Sequence, residues 1–233
     1  MHWPDPVVHR DNQPSRPRLT GGSIRRLPPW LASAFLAFAA SGAAAQERIV
    51  GLPCEGCEGA LVGRPAEIAA ITRIAPAGEK GQPLQLRGRI VDAVGNPAAG
   101  VVVYGYHTDA SGHYPGDARL RDTPASQHGR LRGWARSDAT GNYGFDTIRP
   151  AGYPGRRDPE HIHLHIIEPG RCSYYIDDVN FRDDPRLQAS TQQPAQRGGG
   201  GLTEPVRDAS DTWQATRDIV LGKNIADYAS CGR

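Results

Sequence analysis

The feature that most constrains this chain is a two-residue period of apolar side chains. It runs in short bursts and is broken by Gly, Pro, Asn and Asp. From Leu84, the text LQLRGRIVDAVGNPAAGVVVYGYHTD alternates apolar and polar residues on both sides of a turn at Ala93–Pro97. SDATGNYGFDTI (137–148) is a second turn-and-strand unit, HIHLHII (161–167) another strand, SYYIDDVNF (173–181) a further one, and ATRDIVLG (215–222) a late one. A period of two gives a strand with unlike faces, whereas a helix needs apolar residues three and four apart. Short strands, Gly and Pro turns and little helical pattern predict an all-β chain folded as a β-sandwich with long loops. No internal repeat stands out.

Ahead of this region the chain divides in two. Arg25 and Arg26 precede WLASAFLAFAASGAAA, Trp30 to Ala45. A charged stretch, a short apolar run and a small-residue end predict a signal peptide cleaved after Ala45, and hence a periplasmic or extracellular protein. The run is too short and Ala-rich for a stable membrane span. Residues 46–85 form an N-terminal arm, in which PAEIAAITRIAP reads as a short helix or an extended segment, and residues 86–233 form the sandwich domain. The 188 residues after the leader suit one domain with a real core. Removing residues 1–45 takes away five of 27 basic and two of 25 acidic residues, leaving 22 against 23. The basic excess therefore belongs to the leader, and nothing points to nucleic acid. Cys54, Cys57, Cys172 and Cys231 in an exported chain predict two structural disulfides, with three pairings open. Redox or zinc chemistry at CEGC is the alternative. Gln188–Leu202 reads as a mobile Gly-rich loop.

Candidate chemistry begins with the strand PEHIHLHIIEPG. His161, His163 and His165 share one face. Neighbours along that face sit about 6–7 Å apart, close enough to share one ion, while the outer pair at about 13 Å is too far on a flat strand. The bland reading of a lone H-x-H is a solvated polar face. Two loop tyrosines change it: Tyr114, in HTDASGHYPGD just after a strand, and Tyr153, in the Pro/Gly-rich IRPAGYPGRRDPEHIH, eight residues before His161.

This ordered set resembles the intradiol ring-cleavage dioxygenases, the family of protocatechuate 3,4-dioxygenase and catechol 1,2-dioxygenase, in an exported bacterial branch. The resemblance covers roughly Leu86–Pro185 and rests on GRIVDAVGNPAAGVVVYGYHTDASGHY, LRGWARSDATGNYGFDTIRPAGYPG, HIH and IDDVNFRDDP. It implies a prealbumin-like sandwich holding mononuclear non-haem Fe(III) on Tyr114, Tyr153, His161 and His163, with His165 a same-face neighbour. Phenolates are hard anionic donors that favour Fe(III), and the set fits zinc poorly. The partners implied are a catechol-type small molecule and O2; a homo-oligomer stays open. Tyr153 is implied as the tyrosinate that leaves and takes a proton. The text departs from the family's R-P-A-H-x-H: Asp158 stands at the Arg position and Glu160 at that of a small residue. Asp178 stands where a Gln is usual, and a helical dimerisation segment is missing. Arg156 and Arg157 lie close by, and Arg157 and Asp178 are taken with Tyr153 as the catalytic candidates. Two other readings stand beside this one. GRIVDAVGNPAAGVVVYGY also resembles transthyretin-like or carboxypeptidase-regulatory binding modules, and H-x-H with Glu160 suits copper or zinc. Trp134 and Trp213 read as core or interface residues, and Arg130, Arg132 and Arg136 as surface.

Overall fold

The structure, a computed structural model, describes residues 48–54, 56–187 and 195–232. The expected signal peptide and the first part of the Gly-rich loop lie outside the described residues. Within them there is no α-helix, and twelve strands form two mixed sheets. The first sheet contains β1 (Arg48–Ile49), β4 (Val102–Tyr106), β5 (Arg132–Arg136), β7 (His161–Glu168), β8 (Cys172–Phe181) and β9 (Leu202–Thr203). Its order is β1-β8-β7-β4-β5, with β9 on the far end of β8. The second contains β2 (Ile71–Arg73), β3 (Pro83–Val91), β6 (Asn142–Ile148), β10 (Val206–Arg207), β11 (Trp213–Thr216) and β12 (Ile219–Val220). Its order is β10-β11-β3-β6-β2, with β12 also on β3.

Several expectations are refined. The strands on either side of Ala93–Pro97 enter different sheets, so this turn carries the chain across the sandwich. PAEIAAITRIAP is extended, not helical. The arm gives β1 to one sheet and β2 to the other, and β3 starts at Pro83, so arm and sandwich are one packed body rather than segments divided at residue 85. The late strand is two short ones, both parallel to β3 and parted at Arg217-Asp218. Arg217 is buried there, and its guanidinium donates to the carbonyls of Gly198, Asp218 and Arg197.

The core follows the period of two. Leu84, Leu86 and Ile90 of β3, with Tyr143 and Phe145 of β6, meet Val103, Ile162, Leu164, Ile166 and Ile176 of the first sheet. Each such burial is worth about 1.5–3 kcal/mol. The opposite face of the first sheet is covered too. Val102, Tyr104, Tyr106 and Ile167 pack there against Ala60 of the short 3-10 turn Cys57–Leu61, and the Trp134 indole N–H donates to the Ala60 carbonyl at 2.8 Å. The histidine face is therefore not a solvated polar one; His165 is 1% exposed. Disulfides join Cys54 to Cys57 and Cys172 to Cys231.

One turn recurs four times, at Asp92, Asp109, Asp138 and Asp208. In each, the aspartate N–H donates to the carbonyl four residues on, at 2.8–3.0 Å. Its carboxylate accepts from the backbone N–H groups two and four residues on. Such Asx turns let a short polar side chain replace a ladder partner. The position three after the aspartate is left-handed, and is Gly95, Gly112, Gly141 or Asp211. The recurrence is one of local turn geometry, at irregular spacing along the chain, and not an internal sequence repeat.

Candidate metal centre

β7 and two loops bring four donor atoms together. His161 and His163 lie on one face of β7 with their Nε2 atoms 3.2 Å apart. Tyr114 follows the Asp109 turn, and Tyr153 follows the close approach of a second loop. These loops are stitched together: Thr108 Oγ1 donates to the Ala151 carbonyl at 2.6 Å, and Ala151 N–H to that of Asp109 at 3.1 Å. At Gly112 (φ 82°) a Cβ would stand 2.4 Å from the Gly152 carbonyl oxygen, so glycine is needed for both conformation and space. The Tyr114 hydroxyl then lies 2.6 Å from that of Tyr153 and 2.8 Å from His163 Nε2. The Tyr153 hydroxyl lies 3.1 Å from His161 Nε2 and 3.4 Å from His163 Nε2.

The imidazoles are oriented from behind. His161 Nδ1–H donates to the Pro159 carbonyl at 2.7 Å, and His163 Nδ1–H to Asp178 Oδ1 at 2.8 Å. Both Nε2 lone pairs are thereby aimed at the tyrosines. Asp178 reaches His163 because of a bulge. Ile162 pairs with Val179 and Leu164 with Ile176, so Asp177 and Asp178 together oppose His163. The bulge turns Asp178 to the histidine face while Ile176 and Val179 both stay in the core. The Tyr175 hydroxyl also donates to Asp178 Oδ1, at 2.6 Å. Burial alone would raise the Asp178 pKa, but His163 and the two hydrogen bonds outweigh it and hold the carboxyl below its usual range.

Burial raises the Tyr114 phenol, and the hydrogen bond with Tyr153 adds to this; Tyr153 is raised by burial as well. Burial and then neighbouring His163 lower His161. Without a cation, the phenols are thus neutral donors to imidazole lone pairs. Separations of 2.6–3.4 Å also suit atoms sharing one ion through bonds of about 2 Å. Two phenol oxygens, which only a strongly charged cation would deprotonate against that upward shift, with two imidazoles locked as acceptors, fit a trivalent iron better than a soft metal.

The four atoms lie on a cavity of about 870 Å³, also lined by Tyr106, His128, Tyr175, Asn180, Arg156 and Arg197. Arg157 is exposed and does not line it, which corrects its expected place beside the reacting ring. Arg156 pairs with Asp158 at 2.8 Å, its guanidinium 5.1 Å over the Tyr153 ring. Arg197 pairs with Asp177 at 3.1 Å and lies 4.6 Å over the Tyr175 ring. Glu160 pairs with Arg149 at 2.7 Å, which overturns the reading that makes it an added ligand. His165 packs on the rings of Tyr104, Tyr106 and Tyr175. Sequence reasoning missed Tyr106, which opposes His163 in register and stacks on it at 4.5 Å, and His128, stacked on Tyr106 at 3.9 Å. It also missed Tyr175 and Arg197. The doublet Asp177-Asp178 inside an alternating strand was the available signal for the bulge; nothing local marks His128 or Arg197.

A sandwich carrying this centre defines a class, and the comparisons name it. Residues 62–221 match the family model described as Dioxygenase. The chain belongs to the intradiol dioxygenase family. It is 31% identical over 192 residues to 6-chlorohydroxyquinol 1,2-dioxygenase of Cupriavidus pinatubonensis, covering 73% of this chain and 67% of that one. It is 30% identical over 117 residues to the protocatechuate 3,4-dioxygenase beta chain of Burkholderia cepacia, covering 48% of each, so the chain spans about half of that relative. The fold is shared with wild-type catechol 1,2-dioxygenase of Acinetobacter radioresistens at 22% identity and a TM-score of 0.53, over 74% of this chain and 62% of that one.

Proposed function

We propose that the chain is an exported dioxygenase that cleaves a catechol-type ring between its two hydroxyl-bearing carbons with O2, giving a muconate-type diacid. Its centre is a mononuclear non-haem Fe(III) on Tyr114, Tyr153, His161 and His163. The observation that carries this reading is the convergence of those four donor atoms on the floor of one open cavity. A non-catalytic binding module has no need of it. Export is supported by the pairing of all four cysteines in disulfides.

When bound, the iron supplies Lewis acidity that orients the ring oxygens and makes the ring susceptible to O2. The protein does the rest. Tyr114 packs against the buried aromatic face around Tyr106 and stays in place. Tyr153 lies in a loop outside any strand, at the cavity, with the exposed Arg156 over its ring. Its Oη accepts one phenolic proton of the incoming catechol, the work of a general base. The Pro159 carbonyl and the Asp178 carboxylate keep His161 and His163 in one tautomer throughout. Arg156 and Arg197 bring guanidinium groups to the cavity wall, each paired with an aspartate, Asp158 and Asp177, and able to donate hydrogen bonds to a carboxylate that ring opening produces.

The test is to purify residues 46–233 with iron and record the visible spectrum before and after anaerobic catechol, then O2 uptake. A tyrosinate–Fe(III) band that shifts with catechol, followed by one O2 consumed per ring, is expected. A colourless protein that takes up no iron refutes the reading.

A further inference from the structure

A second group of metal-binding atoms lies beside the cavity wall. The sulfurs of Cys54 and Cys57 and a ring nitrogen of His165 all lie within 4.8 Å of one another. None of these residues belongs to the tyrosine–histidine centre. Cys57 is 2% exposed and His165 is 1% exposed. Nε2 of His165 has no hydrogen-bond partner among the described residues. The hydroxyls nearby are committed elsewhere: Tyr104 to His128 Nδ1 at 2.7 Å, and Tyr175 to Asp178 at 2.6 Å. A buried polar nitrogen left unpaired costs about 1–3 kcal/mol, so an imidazole that carries one and brings a ring nitrogen near two sulfurs calls for a use.

A disulfide sulfur offers that nitrogen little. A thiolate is a different group, a soft anionic ligand that zinc binds readily. Bonds of about 2.3 Å to sulfur and about 2.0 Å to nitrogen put the ligand atoms of a tetrahedral site about 3.5–4 Å apart; the imidazole nitrogen already lies within 4.8 Å of both sulfurs, and the sulfurs, bonded here, part on reduction. The C-x2-C spacing is that of zinc ligands, and the third ligand comes from a strand that packing already fixes. Cys54 lines the cavity, so a small reductant can reach the bond.

We propose that reduction of the Cys54–Cys57 disulfide opens a second cation site, made of the two thiolates and the His165 imidazole, that takes a borderline-soft divalent cation of the zinc class. The balance is simple. A dithiol reductant passes two electrons and two protons to the S–S bond and is itself oxidised to a disulfide. The cation then displaces the two thiol protons. Three protein ligands leave the fourth position to water. The wall of the cavity would thus change its chemistry with the thiol poise of its surroundings, independently of the iron centre.

The experiment counts zinc per chain after equilibrating oxidised and dithiol-reduced protein with Zn²⁺ and removing the excess. Any zinc on the tyrosine–histidine centre is common to both samples and cancels in the difference. The reduced protein is expected to hold one zinc more. That difference is expected to vanish in Cys54→Ser/Cys57→Ser and to weaken at least tenfold in His165→Gln. Equal counts in both states overturn the proposal. So does an extra zinc that survives Cys54→Ser/Cys57→Ser, which would place it on Cys172 and Cys231, or one indifferent to His165→Gln. Should the His165 variant fail to fold, zinc-edge X-ray absorption on the wild type decides, taken as reduced minus oxidised. Two sulfurs and one imidazole support the site, and a shell without imidazole refutes it.

Discussion

Acidification from pH 7 to pH 5 is expected to remove about 5 kcal/mol of stability from the metal-free protein. The cause is three histidines held neutral inside it. His107, His128 and His165 are 0%, 3% and 1% exposed. Burial, the largest cause in each case, lowers them from 6.5 to about 4, about 4 and about 3. The folded value is below the unfolded one, so the unfolded chain binds more protons between the two. The stabilisation is therefore complete above pH 6.5 and is lost as pH falls toward the folded values. Each group surrenders roughly 2 kcal/mol by pH 5, and three give about 5–6 kcal/mol, comparable to the whole stability of many domains. Glu160, raised by burial, pulls the other way. The assay is urea unfolding of metal-free protein at pH 7, 6 and 5, comparing midpoints at constant slope. His107→Gln, which keeps a partner for Thr147, should flatten the dependence by about a third. A loss under about 1 kcal/mol between pH 7 and pH 5 would refute the reasoning.

Other outcomes follow from the centre and its supports. Asp178→Ala should weaken iron binding about 10- to 100-fold, because His163 loses the partner that fixes its tautomer, while Asp178→Asn should lose less; chelator competition measures both. Tyr153→Phe should retain a tyrosinate–iron band from Tyr114 but take up the catechol protons poorly, seen as a slowed anaerobic spectral shift. Gly112→Ala should cost at least about 1–3 kcal/mol in urea unfolding and lower iron occupancy, since it strains a φ of 82° and drives apart the loops bearing Tyr114 and Tyr153. Phe145→Ala should cost about 3–5 kcal/mol while leaving iron stoichiometry in the surviving folded fraction unchanged.

The sandwich was legible because a two-faced strand carries its fold in its own alternation. Leu84, Leu86 and Ile90 face the core as the period requires. The period says nothing about what covers the other face. Nothing in HIHLHII announces that the segment around Ala60 buries it, since that packing joins residues about a hundred positions apart. Strand spacing pointed to neighbouring histidines as a pair; the Nε2 atoms of His161 and His163 meet at 3.2 Å, while His165 packs on tyrosine rings. The tyrosines stood out only as a set, because each alone is an ordinary loop residue. Arg157 was misplaced because position within a loop does not fix direction; of the two adjacent arginines, the fold turns Arg156 to the cavity. Arg197 was hidden because long-range contacts with Asp177 and Tyr175 place it there, not its own Gly-rich surroundings.

The aspartate turn has a consequence for how such a centre can arise. Five positions after the four aspartates stand Pro97, Tyr114, Tyr143 and Trp213. At Tyr143 the ring is sealed in the core, with its hydroxyl donating to the Arg217 carbonyl at 2.7 Å, and at Trp213 the indole reaches Gln82 at 2.6 Å. At Tyr114 the same stock element hands its aromatic residue to the tyrosine–histidine cluster on the cavity instead. The turn is closed by its own side chain and needs no distant partner, so it is a portable cassette. The residue five positions after such a turn can be changed while the hydrogen bonds that close the turn, made by the aspartate itself, stay as they are.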